Sequence, residues 1–275
     1  MTPDPAHPKD IEMQPFEGVR VIDFTHVLAG PSATYQLAVL GADVIKVEPH
    51  HEPDIMRAES QSPAMAADGR GTEFICQNGN KRSLSLDLTA PDGVSVAKRL
   101  IESADVLVEN YRFGVMDRYG FGYDDVSAFN PRLIYCSLTG FGHTGPYQDR
   151  PAYDMVVQGM GGIMSITGHP DGEPARVGMS IGDIGAGVYA AVGINAALYE
   201  RTQTGIGRHI DLSMFDCQVA LVENAVARYS TTGEIPGPLG ARHPSITPFG
   251  AFDTRDGQII VAVGNDRLFT ILCET

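Results

Sequence analysis

The stretch VRVIDFTHVLAGPSATYQLAVLGADVIKV, residues 19–47, decides the fold. Val19-Arg20-Val21-Ile22-Asp23-Phe24 is a β-branched run and reads as a strand. Thr25 to Pro31 is a loop. Pro31 suits the first turn of a helix, where its missing N–H has no intrahelical partner to lose. That helix runs through Ala33, Tyr35, Leu37 and Leu40 and stops at Gly41. Asp43-Val44-Ile45-Lys46-Val47 is the next strand. A strand, a helix and a strand in so short a span make a parallel crossover unit.

The alternation continues downstream. Residues 49–80 read as irregular. RSLSLDL (82–88) alternates like a half-buried strand, and Pro91-Asp92-Gly93 opens a helix through Val94, Ala97, Leu100 and Ile101. DVLVE (105–109) is a strand, followed by short helices near Met116–Tyr119 and Asp124–Phe129. RLIYCS (132–137) is a further strand. After a Gly-rich stretch, IGAGVYAAVGINAALYER (184–201) is apolar all round, the pattern of a buried helix. RHIDL (208–212) reads as a strand and 214–228 as a helix. These elements predict an α/β fold with a doubly wound, parallel, Rossmann-like sheet.

The composition changes after Ser230. A Pro/Gly-rich linker spans 233–240, and 249–252 and 258–263 read as strands. The expected division is a large domain over 1–229, then a linker and the start of a smaller α+β domain over 230–275. A second domain of roughly 45 residues is too small for its own core. Asn265-Asp266 caps an apolar helix that reaches Thr275 without a C-cap. The chain therefore reads as the N-terminal portion of a longer protein.

Across 275 residues, 20 Lys+Arg face 34 Asp+Glu, a net charge of −14. Nucleic-acid binding needs basic patches and is excluded on that balance. The hydrophobic share of 43% is that of an ordinary globular protein. Cys76, Cys136, Cys217 and Cys273 form no C-x-x-C pair, so they read as reduced thiols of a cytoplasmic protein. Residues 1–18 lack the apolar core of a signal peptide, and no run reads as long enough to cross a membrane. No motif with metal-ligand spacing occurs, and no G-x-S-x-G.

The loop after the first strand, 25–31, is the natural ligand site of such a sheet. It is not G-x-G-x-x-G, which disfavours a nicotinamide-binding oxidoreductase. His26 in this loop is either structural or a ligand contact. Asn110-Tyr111-Arg112 and Arg118 follow a strand end, where an aromatic ring beside Arg could hold adenine and phosphate, or simply form a solvated turn. Asp154 precedes an apolar helical stretch and reads as a cap. Asp183 reads plainly as an N-cap of the following helix. Alternatively it is a nucleophilic carboxylate, with Gly182, Gly185, Ala186 and Gly187 leaving room for substrate and the helix N-terminus keeping it ionised.

Taken in order, VRVIDFTHVLAGP, LGADVIKVE, KRSLSLDL, ADVLVEN, MDRYGFGYDD, PRLIYCSLTGFG, RPAYDMVVQGMGG and GDIGAGVYAAVG resemble the family III CoA-transferases, which include formyl-CoA transferase and carnitine CoA-transferase. The resemblance implies CoA transfer from an acyl-CoA donor to a carboxylic acid. Asp183 would be the nucleophile, passing through a mixed anhydride and an aspartyl-CoA thioester. It implies CoA contacts from His26, Leu28, Ala29, Leu86, Asp87, Thr89, Asn110, Tyr111, Arg118, Tyr153 and Asp154. CoA would be substrate, with no prosthetic group and no metal. An interlocked homodimer, with neither nucleic acid nor membrane as partner, is implied as well.

Formyl-CoA transferase has Gln at the position of Leu28, Glu at that of Asp154, and a glycine-rich loop where this chain has RHPSITP (242–248). The RHPSITPFGAFDTRDG segment is more similar to transferases of small dicarboxylic acids. The related 2-methylacyl-CoA racemases carry His where Tyr153 stands. A phenol has no pKa suited to removing an α-proton near neutrality. Racemisation and a truncated, non-catalytic homologue are the alternative readings.

Overall fold

A computed structural model describes residues 14–275. Six strands form one parallel sheet: β1 (Arg20–Phe24), β2 (Asp43–Pro49), β3 (Arg82–Leu86), β4 (Val106–Glu109), β5 (Ile134–Thr139) and β6 (His209–Ser213), in the order β3-β2-β1-β4-β5-β6. The order reverses between β1 and β4, which pair in register from Val21↔Val106 to Phe24↔Glu109. Loops leaving the carboxyl ends of these two strands diverge to opposite sides and leave a crevice.

Both faces are buried along the central strands β1, β2, β4 and β5, which therefore carry apolar runs, whereas edge strand β3 alternates and stays largely exposed. On one face Val21, Val44, Val106, Val108 and Ile134 pack with Ala33 and Leu37 of α1 (Ala29–Val39) and with Ala186, Ala190 and Ile194 of α8 (Ile181–Thr204). On the other, Ile22, Ile45, Leu107 and Tyr135 pack with Ala97 and Ile101 of α4 (Pro91–Glu102), Met116 of α5 (Val115–Arg118) and Val126 of α6 (Tyr123–Phe129). Small residues let α8 approach α1 closely. A Cβ at Gly187 would lie 2.9 Å from the Ala29 carbonyl oxygen.

Several sequence expectations change. α1 starts at Ala29, ahead of Pro31. The stretch read as irregular holds α2 (Pro63–Ala67) and α3 (Thr72–Asn78). α7 spans Asp154–Met160. The helix expected over 214–228 is two, α9 (Met214–Leu221) and α10 (Glu223–Thr232). α8 is not buried all round: Val192 and Tyr199 are exposed, 60% and 72%. α8 is also long and apolar enough, by length and composition, to cross a membrane, which corrects the expectation that no run is. Its Gly and Ala face is instead core against α1 and the sheet.

The described residues fall into two compact units. One comprises the chain up to Val157 together with Ser180–Gln218. The other comprises Gln158–Met179 and Val219–Thr275. The sequence reading placed a single cut near residue 230, whereas the chain here passes between units three times. The second unit holds the antiparallel pair β7 (Phe249–Asp253) and β8 (Gln258–Ala262), and α11 (Asp266–Glu274), capped by the Asn265 side chain, which accepts the Leu268 N–H at 3.0 Å.

Candidate functional site

The crevice between the ends of β1 and β4 opens into a pocket of about 150 Å³. Its wall carries His26, Val27, Leu28 and Ala29 from the first loop and Asn110, Tyr111, Arg112 and Phe113 from the end of β4. Leu138, Thr139 and Gly140 follow from β5. The loop from Gln148 to Tyr153, with Asp183 and Met214, completes it.

The first loop is held from below by a buried ionic network. Asp23 accepts the Thr25 N–H at 2.9 Å and pairs with Lys81 at 3.0 Å, and Thr34 Oγ1 donates to it at 2.7 Å. Lys46 pairs with Asp54 at 3.1 Å and donates to the Thr25 carbonyl at 2.7 Å. Burial alone would raise the Asp23 pKa. Lys81, Lys46 and the two hydroxyls outweigh it and hold the carboxyl down at about 2. Asp54 also accepts the Val27 N–H at 3.1 Å. That bond helps hold Val27 at φ 67°, a left-handed conformation that costs a β-branched residue about 1–3 kcal/mol.

Asn110 ties the two crevice walls together. Its Oδ1 accepts the His26 N–H and its Nδ2 donates to the His26 carbonyl, both at 2.8 Å. The His26 ring lies 5.2 Å from that of Tyr111, and its Nδ1 is buried without a hydrogen-bond partner among the described residues. Burial lowers the imidazole pKa, against the pull of Asp54, and keeps the ring neutral at pH 7. Burial and nearby anionic groups push the Tyr111 phenol up to about 12, so it remains protonated.

Asp183 is the third residue of α8 and not its cap, a place taken by Ser180 without a side-chain bond. Asp154 satisfies that helix end instead: its Oδ1 accepts the Gly182 N–H at 2.8 Å. A Cβ at Gly182 would lie 2.9 Å from the same oxygen, so only glycine allows the approach. The expectation that the helix N-terminus keeps Asp183 ionised is corrected. Burial, and then the charge of Asp154, push its carboxyl up to about 7. A helix terminus contributes about 0.3–1 kcal/mol, under one pKa unit, and loses to desolvation.

The pocket thus gathers His26, Leu28, Ala29, Asn110, Tyr111, Tyr153 and Asp183, with Asp154 directly behind. Leu86, Asp87 and Thr89 do not line it. They form the turn from β3 into α4, where Asp87 accepts the Thr89 N–H at 2.9 Å. Arg118 is an exposed residue of α5 and does not line the pocket. The cations on the wall are Arg112 and Arg150, the latter stacked on Tyr147 at 4.1 Å. Arg112 belongs to the Asn110-Tyr111-Arg112 group that the sequence singled out; Arg150 opens the RPAYD stretch, which is the signal that could have found it. A partly buried carboxyl in a pocket whose wall also carries two guanidiniums and aromatic rings suits acyl chemistry on a large anionic ligand.

Comparison with protein families matches residues 16–275 to CoA-transferase family III. The chain is 44% identical over 262 residues to a succinate–glutarate CoA-transferase of Agrobacterium fabrum, covering 94% of this chain and 66% of that one. It is 45% identical over 271 residues to an acetyl-CoA:oxalate CoA-transferase of Acetobacter aceti, covering 98% and 68%. The crystal structure of a CAIB/BAIF family protein from Brucella suis superposes with TM-score 0.84 at 41% identity, over 95% of this chain and 69% of that one. The chain spans about two thirds of the length of these relatives.

Proposed function

The chain belongs to CoA-transferase family III, and on that footing we propose that it moves CoA from an acyl-CoA donor to a small dicarboxylic acid, with Asp183 as nucleophile. The observation that carries this reading is the half-buried carboxyl of Asp183 on the wall of the crevice pocket. Similarity to transferases named for succinate, glutarate and oxalate supports the dicarboxylic class.

Ionised Asp183 attacks the thioester carbonyl of the donor. The C–S bond breaks, leaving a mixed anhydride on Asp183 and CoA thiolate. The thiolate attacks the Asp183 carbonyl carbon, the anhydride C–O bond breaks, and the donor acid leaves as its carboxylate. Asp183 now holds CoA as a thioester. The acceptor carboxylate attacks that carbonyl and expels the thiolate. The thiolate then attacks the acceptor acyl carbon, giving the new acyl-CoA and regenerating the Asp183 carboxylate. No water enters the balance, so the reaction requires that water be kept from the Asp183 intermediates. Desolvation that raises the pKa of Asp183 also leaves its anion less solvated and more reactive once formed.

Arg112 and Arg150 suit the CoA phosphates, and the N-terminus of α1, at Ala29, adds backbone donors on the same wall. Leu86, Asp87, Thr89 and Arg118 remain proposed CoA contacts by resemblance to the family. The proposal also includes a homodimer, a cytoplasmic setting that the free thiols of Cys76 and Cys273 support, and no prosthetic group.

The test is a transfer assay with succinyl-CoA and a panel of free acids, following every CoA species. The expected result is acceptor-dependent formation of a new thioester, with dicarboxylic acids preferred. Hydrolysis to free CoA without a new thioester would contradict it. So would loss of α-deuterium from a 2-methylacyl-CoA without any acceptor.

A further inference from the structure

A second polar pocket, of about 160 Å³, lies beside the first and shares Arg112 and Phe113 with it. Glu109, the last residue of β4, lines it and is 3% exposed. Its Oε2 accepts the backbone N–H of Tyr111 at 3.0 Å. Nearby, Ser137 Oγ lies 3.0 Å from Nε2 of His209. On the other side, His143 Nε2 lies 4.0 Å from Glu109 Oε1. The Glu109 carboxyl therefore holds the backbone of the Asn110–Tyr111 loop, whose side chains clamp His26 and form one wall of the first pocket.

We propose that Glu109 is a positioning residue for the CoA-binding loop, and that its ionisation tightens the loop and the binding of CoA. The proposal rests on the reading of the first pocket as a CoA site. A carboxylate bond to an N–H is about twice as strong as a neutral one, so ionised Glu109 draws Tyr111 in more firmly than the acid does. The groups facing Glu109 are mostly neutral or acidic. From β5 come Ser137 and Tyr135, from β6 His209 and Asp211, and from the loop after β5 His143. α5 contributes Asp117 and α6 contributes Tyr123 and Asp124, while Arg112 is the one guanidinium on this wall among the described residues. Burial, assisted by Asp117 and Asp211, pushes the carboxyl up to about 7 against the pull of Ser137 and Tyr111. His209 is itself held below its ordinary pKa by burial and by His143.

The test measures calorimetric affinity for dephospho-CoA from about pH 6 to about pH 8.5. That ligand lacks the 3′-phosphate, whose own titration would intrude in this range. An Asp183→Asn background removes the titration of Asp183. The expected result is affinity that tightens roughly fivefold as pH rises through about 7. Glu109→Gln, which keeps an acceptor for Tyr111 but cannot ionise, abolishes that rise. With Asp183 intact, Glu109→Gln raises KM for acyl-CoA at pH 8 and leaves kcat within about twofold. A Glu109→Gln protein that keeps the parental pH slope, or that lowers kcat with KM unchanged, overturns the proposal. Failure of the Asp183→Asn parent to bind dephospho-CoA at any pH would instead overturn the CoA-site reading beneath it.

Discussion

Asp154 Oδ1 accepts the backbone N–H of Gly182 at 2.8 Å, so a carboxylate at the start of α7 caps the first turn of α8, next to Asp183. One side chain therefore both anchors the helix that carries the proposed nucleophile and raises the pKa of that carboxyl by its charge. The two roles separate by substitution. Asp154→Asn keeps an oxygen for Gly182 but loses the charge, and is expected to move the pH midpoint of kcat/KM downward while leaving the melting temperature nearly unchanged. Asp154→Ala loses the cap as well, a loss of about 1 kcal/mol in chemical denaturation.

As the proposed nucleophile, Asp183 must be ionised to attack. With its carboxyl at about 7, kcat/KM rises with pH and reaches half its plateau near that value. The stability linkage has the opposite slope. A carboxyl raised in the folded state binds protons that the unfolded chain releases, so its contribution is lost as pH rises from the ordinary 3.8 to about 7. Paired measurement of rate and of denaturation midpoint against pH checks both signs.

The buried Asp23–Lys81 pair supports the first loop from beneath. Removing one partner leaves an uncompensated buried charge, so Lys81→Met is expected to lose about 3–5 kcal/mol in urea denaturation. Asp23 is held at about 2, so its share of stability is present above 3.8 and disappears only as pH falls toward 2. Acid denaturation of Asp23→Asn should lack that last step.

Gly187 faces α1 with no room to spare. A methyl there would lie 2.9 Å from the Ala29 carbonyl oxygen and from Ser32 Cβ, both on a packed helix. Gly187→Ala is expected to destabilise by about 1–3 kcal/mol and to raise KM for acyl-CoA, because α1 carries Ala29 on the pocket wall. A thermal melt with a parallel KM measurement checks this.

The sheet was legible because its strands are short β-branched runs separated by turn residues, and β1, α1 and β2 follow in order within 19–47. Asp183 read as a cap from local sequence, with small neighbours at a helix start leaving the nucleophile open as the alternative, and it lies on the pocket wall. What stayed hidden depends on partners far along the chain. Asp154 looks like a cap for its own helix, and its true partner is 28 residues away. Arg118 was expected as a phosphate contact from the family resemblance; it does not line the pocket, whose wall carries Arg112 and Arg150. The pKa of Asp183 follows from burial and one neighbouring carboxylate, neither visible in local sequence.

The central claim is that Asp183 carries the transferred group. Incubation with succinyl-CoA, reduction with borohydride and peptide mass spectrometry test it directly. The account predicts reduction of the aspartyl thioester to homoserine at position 183, and no such change in Asp183→Asn. Steady CoA transfer with an unmodified Asp183 peptide would contradict it.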